Sequence, residues 1–390
     1  MAYPRSDSYE RAFSDGAELV SFVELLNADG IKIADSQQED TFLLVDGGSI
    51  TADASGSARW TLSNLVLLDP IGTLLPASGR SLLSPLSGNE LRVWCGLAHH
   101  GIADMFPQGT YGISRAAFSD GPQGATLTVN GTDRSRRVAR AKSTKTYVVD
   151  KGPAWAAIVA LYVNRVPEAA SGSNPNWLMN ISTSEGGTTD RQVLEPGTDP
   201  WGVIQAIAES AGLEAYFDAL GIFTVRPIPN PRDPNVPITW SYDEGTDATV
   251  MHYTRAQESD SSPNGIIVTG EHTSNVSPPR GEAWDDDPTS PTYRFGPYKE
   301  VPEFVTDPRA RLQADAEASA RGRLYRKLGV AETVEFAVMP NPVHEPSDVL
   351  RVYRGRSGLD TSVFLDRYTL PLRPEGSPEM VLTARERRIR

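Results

Sequence analysis

Hydrophobic residues recur along this chain with two different periods. From residue 18 to about 131 the period is two: Val20 and Phe22 start an alternation that breaks at Asn27-Ala28-Asp29-Gly30 and restarts at Ile31 and Ile33. Ala58, Trp60 and Leu62 continue it, then Leu91, Val93, Cys95 and Leu97, then Tyr111 and Ile113, then Ala125, Leu127 and Val129. Successive side chains of a strand point to opposite faces, so this alternation with Gly-rich breaks predicts an antiparallel barrel or sandwich. A Leu-, Pro-, Ser- and Gly-rich loop over 70–88 interrupts it, and loops of that length often contact a partner.

Between 152 and 226 the period changes to 3.6. Pro153 opens a helix with Trp155, Ile158, Val159 and Tyr162 on one face. After a polar loop at 170–176, Asp199-Pro200 caps a second helix that turns Val203, Ile204, Ile207, Ala208 and Ala211 inward and stops at Gly212. Residues 214–217 and 222–226 pair as a hairpin through Asp218-Ala219-Leu220-Gly221. Five prolines within 227–237 dictate an extended linker. Strands are expected at 238–242, 248–254 and 265–270, followed by a long aperiodic loop over 271–304.

Residues 306–354 carry the clearest local grammar. Thr306 or Asp307 can cap a helix over 309–328, Pro308 suits its first position, and Gly329 supplies a left-handed stop. Leu312, Ala316, Ala320, Leu324 and Leu328 recur every fourth residue, a stripe of mostly small side chains that permits close packing against a sheet or a neighbour. The opposite face, with Arg309, Arg311, Arg321, Arg323 and Arg326 among acids, reads as solvated. A Pro-rich bend over 340–348 then feeds a new strand, and strands are expected at 330–339, 349–353, 362–370 and 380–387. The fold class is therefore α+β, mainly β.

Composition adds that the chain is folded, since 39% of it is hydrophobic, 22% charged, and it holds seven Trp. Its 390 residues allow two to four domains. The boundaries read as a β unit over 1–145, a small two-helix α+β domain over 146–236, a β segment with an irregular loop over 237–305, and the helix with a second β unit over 306–390. A formal charge of -13 argues against binding DNA through its phosphates. Within that acidic chain Arg134, Arg136, Arg137, Arg140, Lys142 and Lys145 form a basic stretch. It reads first as a solvated linker, then as a contact for an acidic neighbouring subunit; nucleic acid comes third because no aromatic residues are interleaved. No apolar core of a secretory signal occurs in 1–13, and the longest apolar run, 154–163, is too short to span a bilayer, so a soluble protein made in the cytoplasm is expected.

Candidate chemistry is thin. There is no phosphate-cradling loop, no dinucleotide fingerprint, no Gly-x-Ser-x-Gly and no His-Glu-x-x-His, so neither enzyme activity nor a cofactor is expected. Cys95 alternates onto a buried strand face and reads as core. His99-His100 with Asp104 makes a poor metal site because adjacent strand residues face opposite ways. Asp285-Asp286-Asp287 after Glu282 lacks the alternation of a calcium loop.

Several pieces in order resemble the hub, or minor tail, proteins of long-tailed bacteriophages, particularly those of actinobacteria. They are the helix followed by Gly212-Leu213-Glu214-Ala215-Tyr216-Phe217-Asp218, the strand over 221–227, Asn264-Gly265-Ile266-Ile267-Val268-Thr269-Gly270-Glu271, and the helix and bend of 306–352. The resemblance implies two antiparallel β-barrel tube domains flanking smaller α+β modules. It further implies a homotrimeric ring of six barrels that closes the tail tube at the virion's tail tip and lets DNA pass in transit. The implied partners are a distal tail protein ring, the tape measure protein and other tail-tip proteins, with assembly in the bacterial host cytoplasm and no stable membrane insertion. On this reading Leu312, Ala316, Ala320 and Leu324 should be buried on a barrel wall or between subunits, and Arg134, Arg136, Arg137 and Arg140 are interface candidates. The channel face should carry more Asp and Glu than Lys and Arg. A distal tail ring protein is the alternative within this class. The rival class, a secreted carbohydrate-binding or carbohydrate-degrading β-sandwich protein, would display aromatic platforms among Trp177, Trp201, Trp240 and Trp284.

Overall fold

The computed structural model describes residues 9, 18–35, 44–69, 82–99, 102–121, 124–169, 177–182, 187–243, 250–259, 262–271, 277–330, 332–355, 358–373 and 379–387. The period-two region forms β1 (Glu18–Leu26), β2 (Lys32–Asp35), β3 (Leu44–Asp53), β4 (Trp60–Asp69), β5 (Glu90–His99), β6 (Ile102–Gly121) and β7 (Gly124–Thr132). β6 runs well beyond Tyr111 and Ile113 because its largely exposed second half continues the ladder with β7 without needing apolar alternation.

The central region holds α1 (Ser135–Arg140), β8 (Tyr147–Val149), β9 (Gly152–Pro153), α2 (Ala154–Arg165), β10 (Met179–Ile181), β11 (Thr188–Thr189), β12 (Gln192–Leu194), α3 (Pro200–Ser210), β13 (Leu213–Phe217) and β14 (Phe223–Pro227). Asp199 caps α3 as its sequence predicts, accepting from the Trp201 amide at 3.0 Å, and Gly212 ends it at φ 69°. The remaining elements are β15 (Ile238–Tyr242), β16 (Val250–Gln257), β17 (Gly265–Thr269), β18 (Arg280–Trp284), β19 (Pro302–Thr306), α4 (Gln313–Lys327), β20 (Glu332–Val338), β21 (Val349–Arg354), β22 (Leu359–Pro371) and β23 (Met380–Arg387).

A mainly β architecture built on a large antiparallel sheet is what the periodicity predicts, but the two β units are not separate. They join into one sheet of 13 strands in the order β16-β20-β23-β22-β3-β4-β7-β6-β5-β1-β2, with β21 and β15 branching from β22. The join is the β3–β22 ladder, from Asp53 opposite Arg367 to Ser49 opposite Pro371. One hydrophobic core spans it, with Trp60 edge-on to Tyr368 at 6.3 Å between ring centres. Among the described residues the sheet does not close on itself, so β2 and β16 are its outer strands.

A second core unites α1, α2, α3 and the β13–β14 hairpin around Tyr162, Trp201, Phe217 and Phe223. Val138 of α1 belongs to it, so Arg136, Arg137 and Arg140 of the basic stretch lie on a short helix, whereas Lys142 and Lys145 follow outside any helix or strand. A third core corrects the expected grouping of 306–390. The apolar face of α4 packs on the small sheet β18-β17-β19, with Ala316, Ala320 and Leu324 against Ile266 and Val268, and the strands that follow meet the helix at its C-terminal end, where Arg385 of β23 donates to the Tyr325 and Arg326 carbonyls at 2.9 and 2.7 Å. The loop expected over 271–304 therefore contains β18 and β19. β18 escapes periodicity because Gly281 lies where a Cβ would be 2.1 Å from the Ala316 carbonyl carbon, so the helix rests on bare backbone. α4 begins four residues later than the sequence pattern suggests. Asp307 closes its own turn onto the Arg309 amide at 3.0 Å, and Asp315 instead caps α4 by accepting from the Leu312 amide at 3.1 Å.

Candidate functional site

The bend at 340–348 is the seam between the two halves of the sheet. Asn341 and His344 are buried, and their polar atoms require partners that only folding can bring. Tyr9 Oη donates to Asn341 Oδ1 at 2.7 Å, and Tyr242 Oη lies 2.5 Å from His344 Nε2. From β6, Gln108 Nε2 donates to the Pro342 carbonyl at 2.6 Å, while the single proton of Tyr368 Oη has two acceptors in reach, the His344 carbonyl at 2.9 Å and Gln108 Oε1 at 3.1 Å. Each bond joins residues far apart in sequence, so the bend is legible as a corner but not as a seam.

Beside it lies a cleft of about 390 Å³ between the end of the bend and the β13–β14 hairpin. Arg59, from the β3–β4 turn, is buried and touches both walls. It donates to the Pro346 carbonyl at 3.0 Å, stands 3.8 Å from Glu214, and lies 3.8 Å over the Tyr216 ring. Arg226 holds Glu214 from the other side at 2.6 Å. The hairpin turn plugs into the sheet: Ala219 is buried in the large core, Arg92 donates to the Leu220 carbonyl at 3.1 Å, and Trp60 Nε1 donates to the Phe217 carbonyl at 3.1 Å. Burial pushes the Asp218 carboxyl up to about 6, with Glu345 adding to the rise against hydrogen bonds from the Ile222 and Leu220 amides. Burial likewise pushes Asp348 up to about 6. Raised carboxyls in a cleft can mark a reactive centre, but here both carboxylates accept backbone amides that shape turns, which gives them structural work. Sequence reasoning found the turn and the bend and missed that they meet.

The basic stretch divides in two. Arg134 is buried, makes a bidentate pair with Glu90 of β5 at 2.7 and 3.1 Å, donates to the Gly221 carbonyl at 2.8 Å, and lies 4.0 Å over Trp177. Gly221, at φ 79°, leaves the room, since a Cβ there would stand 3.1 Å from the guanidinium carbon. Arg137 pairs with Glu168 at 2.6 Å and reaches the Ala28 carbonyl at 3.3 Å. Arg136 and Arg140 have no carboxylate partner among the described residues, and with Arg137 they line a second cleft, of about 370 Å³. Partial burial, then the charge of Arg140, lower the Arg136 pKa. The far rim of that cleft is Pro85, Gly88 and Asn89, next to Leu86, which is 88% exposed.

The alanine stripe is closed off. Ala316 and Ala320 are 0% exposed and Leu324 is 4% exposed, all against this chain's own β17 and β18, so none of them can face another subunit. Leu312 is 54% exposed. Asp285 is a structural acid, bound by Arg232 at 2.6 and 3.1 Å, by Ser290 at 2.6 Å and by Thr292 at 2.6 Å. Burial works to raise its pKa, and those hydrogen bonds outweigh it. Cys95 is buried and its thiol is pushed up to about 12. His100, residues 170–176 and most of the loop at 70–88 lie outside the described residues. Among the described residues no group of three or more His, Cys, Asp or Glu could hold a metal, and no helix is long and apolar enough to cross a membrane. Trp177 and Trp201 are buried, and Trp240 and Trp284 are half-buried, so these four do not form an aromatic platform.

This arrangement, one long sheet with an inserted helical module and a helix-backed small sheet, is the fold of phage tail proteins. A tail protein from Neisseria meningitidis MC58 superposes with a TM-score of 0.63 at 14% identity, covering 95% of this chain and 96% of that one. A prophage tail protein from Shewanella oneidensis gives 0.54 at 11% identity over 93% and 98%. A prophage tail protein from Listeria monocytogenes EGD-e gives 0.53 at 11% identity over 93% and 94%. No family model matches the sequence, and no curated protein matches it.

Proposed function

We propose that the chain is a structural, non-enzymatic component of a bacteriophage tail, built into the virion at the tail tip after assembly in the host cytoplasm. The observation that carries this reading is a likeness of fold over nearly the whole length of three proteins that are themselves tail proteins. In the finer form of the proposal, three copies form a hub ring that closes the tail tube and through which DNA passes. The two halves of the long sheet, either side of the β3–β22 ladder, are then the two tube units, and their outer strands β2 and β16 continue into neighbouring copies. Its partners are the distal tail ring, the tape measure protein and other tail-tip proteins. A stiff, acidic wall suits a conduit for DNA, since it does not retain phosphate, and the net charge of -13 supports such a wall. Carboxylates in the described clefts are engaged by arginines and backbone amides, which supports a scaffold over a catalyst.

Gold-labelled antibody against the chain, applied to intact particles, tests the reading. Label at the distal end of the tail is expected. Label absent from particles, together with glycan binding by the purified chain, would favour the carbohydrate class instead.

A further inference from the structure

α1 places two guanidinium groups at one end of the long sheet that pair with no carboxylate among the described residues: of the acids lining their cleft, Glu90 is held by Arg134 and Asp133 by the Trp60 and Ser135 amides. Arg136 and Arg140 line the 370 Å³ cleft, whereas the other two arginines there are engaged, Arg134 with Glu90 and Arg137 with Glu168. Arg136 is half-buried and Arg140 exposed, so the cleft presents two positive charges that a counter-charge from outside can reach. It lies at the β2 end, since Arg137 reaches the β1–β2 turn at the Ala28 carbonyl and Gly88 approaches the Ala28 side chain. Next to its rim residue Pro85 stands Leu86, 88% exposed.

The opposite end of the same sheet carries the complement. Glu258 follows the outer strand β16, and Glu335 lies on β20 opposite Thr254 of β16. Both are exposed and, among the described residues, have no basic partner. Nearby, Arg255 faces two carboxylates, Glu332 and Glu386. Among the described residues the two ends of one molecule thus carry opposite charges without an ion-pair partner, which is the pattern of a head-to-tail contact that can propagate around a ring.

We infer that the Arg136–Arg140 cleft receives the Glu258 and Glu335 end of a second copy of this chain, and that these charges set the register of head-to-tail association. The inference rests on the ring reading and names the contact within it. Rim charges of this kind govern association rate, salt dependence and choice of partner.

Sedimentation of the full chain across a concentration series and between 50 and 500 mM NaCl (chosen as roughly one decade of ionic strength) supplies the test. The wild type is expected to associate, more weakly at high salt. Arg136→Glu with Arg140→Glu, and separately Glu258→Arg with Glu335→Arg, should each weaken association at least about tenfold. The variant carrying all four exchanges restores complementarity and should recover most of the loss, which a merely misfolded chain would not do. Association by the wild type with no effect of either double exchange overturns this contact while leaving the ring reading standing. A double-exchange loss that the fourfold exchange fails to recover also overturns the pairing. A wild type that stays monomeric throughout overturns both.

Discussion

The basic stretch of α1 and the alanine stripe of α4 offer themselves in sequence as surfaces for a partner, and folding treats them in opposite ways. From Ala316 to Leu328 the stripe is closed inside the chain, while Leu312 stays exposed, because small side chains let α4 settle onto β17 and β18 until Gly281 touches its backbone. The stretch is divided residue by residue: Arg134 becomes an internal tie among β5, α1 and the β13–β14 hairpin, while Arg136 and Arg140 stay open. The difference teaches that periodicity predicts which side of an element is buried, but not whether the burying surface belongs to the same chain. For charges it predicts even less, since Arg134 and Arg140 differ only in what the topology brings near them.

The sharpest way to break that contrast is Ala320→Glu. A carboxylate forced against Ile266 and Val268 has no partner, and a loss above about 4 kcal/mol is expected, seen as unfolding of the isolated chain in a thermal melt before any question of assembly arises. A well-folded variant that fails only to associate would return the stripe to the subunit interface.

Next in size is Arg134→Ala, which leaves Glu90 buried and uncompensated and should cost about 3–5 kcal/mol in denaturant unfolding. Lys at this position cannot reproduce the bidentate pair and should recover only part of the loss.

Asp218 lies between the extremes, engaged by backbone amides yet partly open to the cleft. Its folded carboxyl titrates at about 6, above the roughly 3.9 of an unfolded Asp, so the folded state takes up the proton more readily. Stability from this group is therefore full below about pH 4 and is lost as pH rises through about 6. Asp218→Asn keeps an acceptor for the Leu220 and Ile222 amides and should flatten that part of the stability profile, with a gain on the order of 1–2 kcal/mol at pH 7. Urea midpoints measured from pH 4 to 7 decide it, and a profile as steep as the wild type's would contradict the assignment.

The smallest effect on the folded chain is expected from Arg136→Glu with Arg140→Glu. Neither residue has a carboxylate partner among the described residues, so stability should stay within about 0.5 kcal/mol by thermal melt, even as association fails. A large loss of stability would place these arginines with Arg134.

Much of the fold is visible in single segments. The Asp199-Pro200 cap, the Gly212 and Gly329 stops, the Asp218–Gly221 turn and the alternation of β1, β5 and β7 all follow from local preferences, and the glycines take the left-handed conformation at φ 69° and 83°. What escapes is every feature made by distant residues. β18 has no alternation because a helix covers its glycine, and the β3–β22 ladder pairs residues more than 300 positions apart. Arg59 carries no local signal, although it joins the β3–β4 turn, the hairpin and the bend, and the bend itself reads as a Pro-rich corner until Gln108 and Tyr368 are seen to close on it.

The proposed threefold ring of this chain at the end of a tail tube is open to direct observation. Cryo-electron microscopy of the whole particle tests it most directly. Three copies are expected around the tail axis at the distal end of the tube, joined β2 end to β16 end, with a lumen richer in Asp and Glu than in Lys and Arg. Six identical copies, a position off the axis, or a lumen lined mainly by Arg and Lys would contradict it.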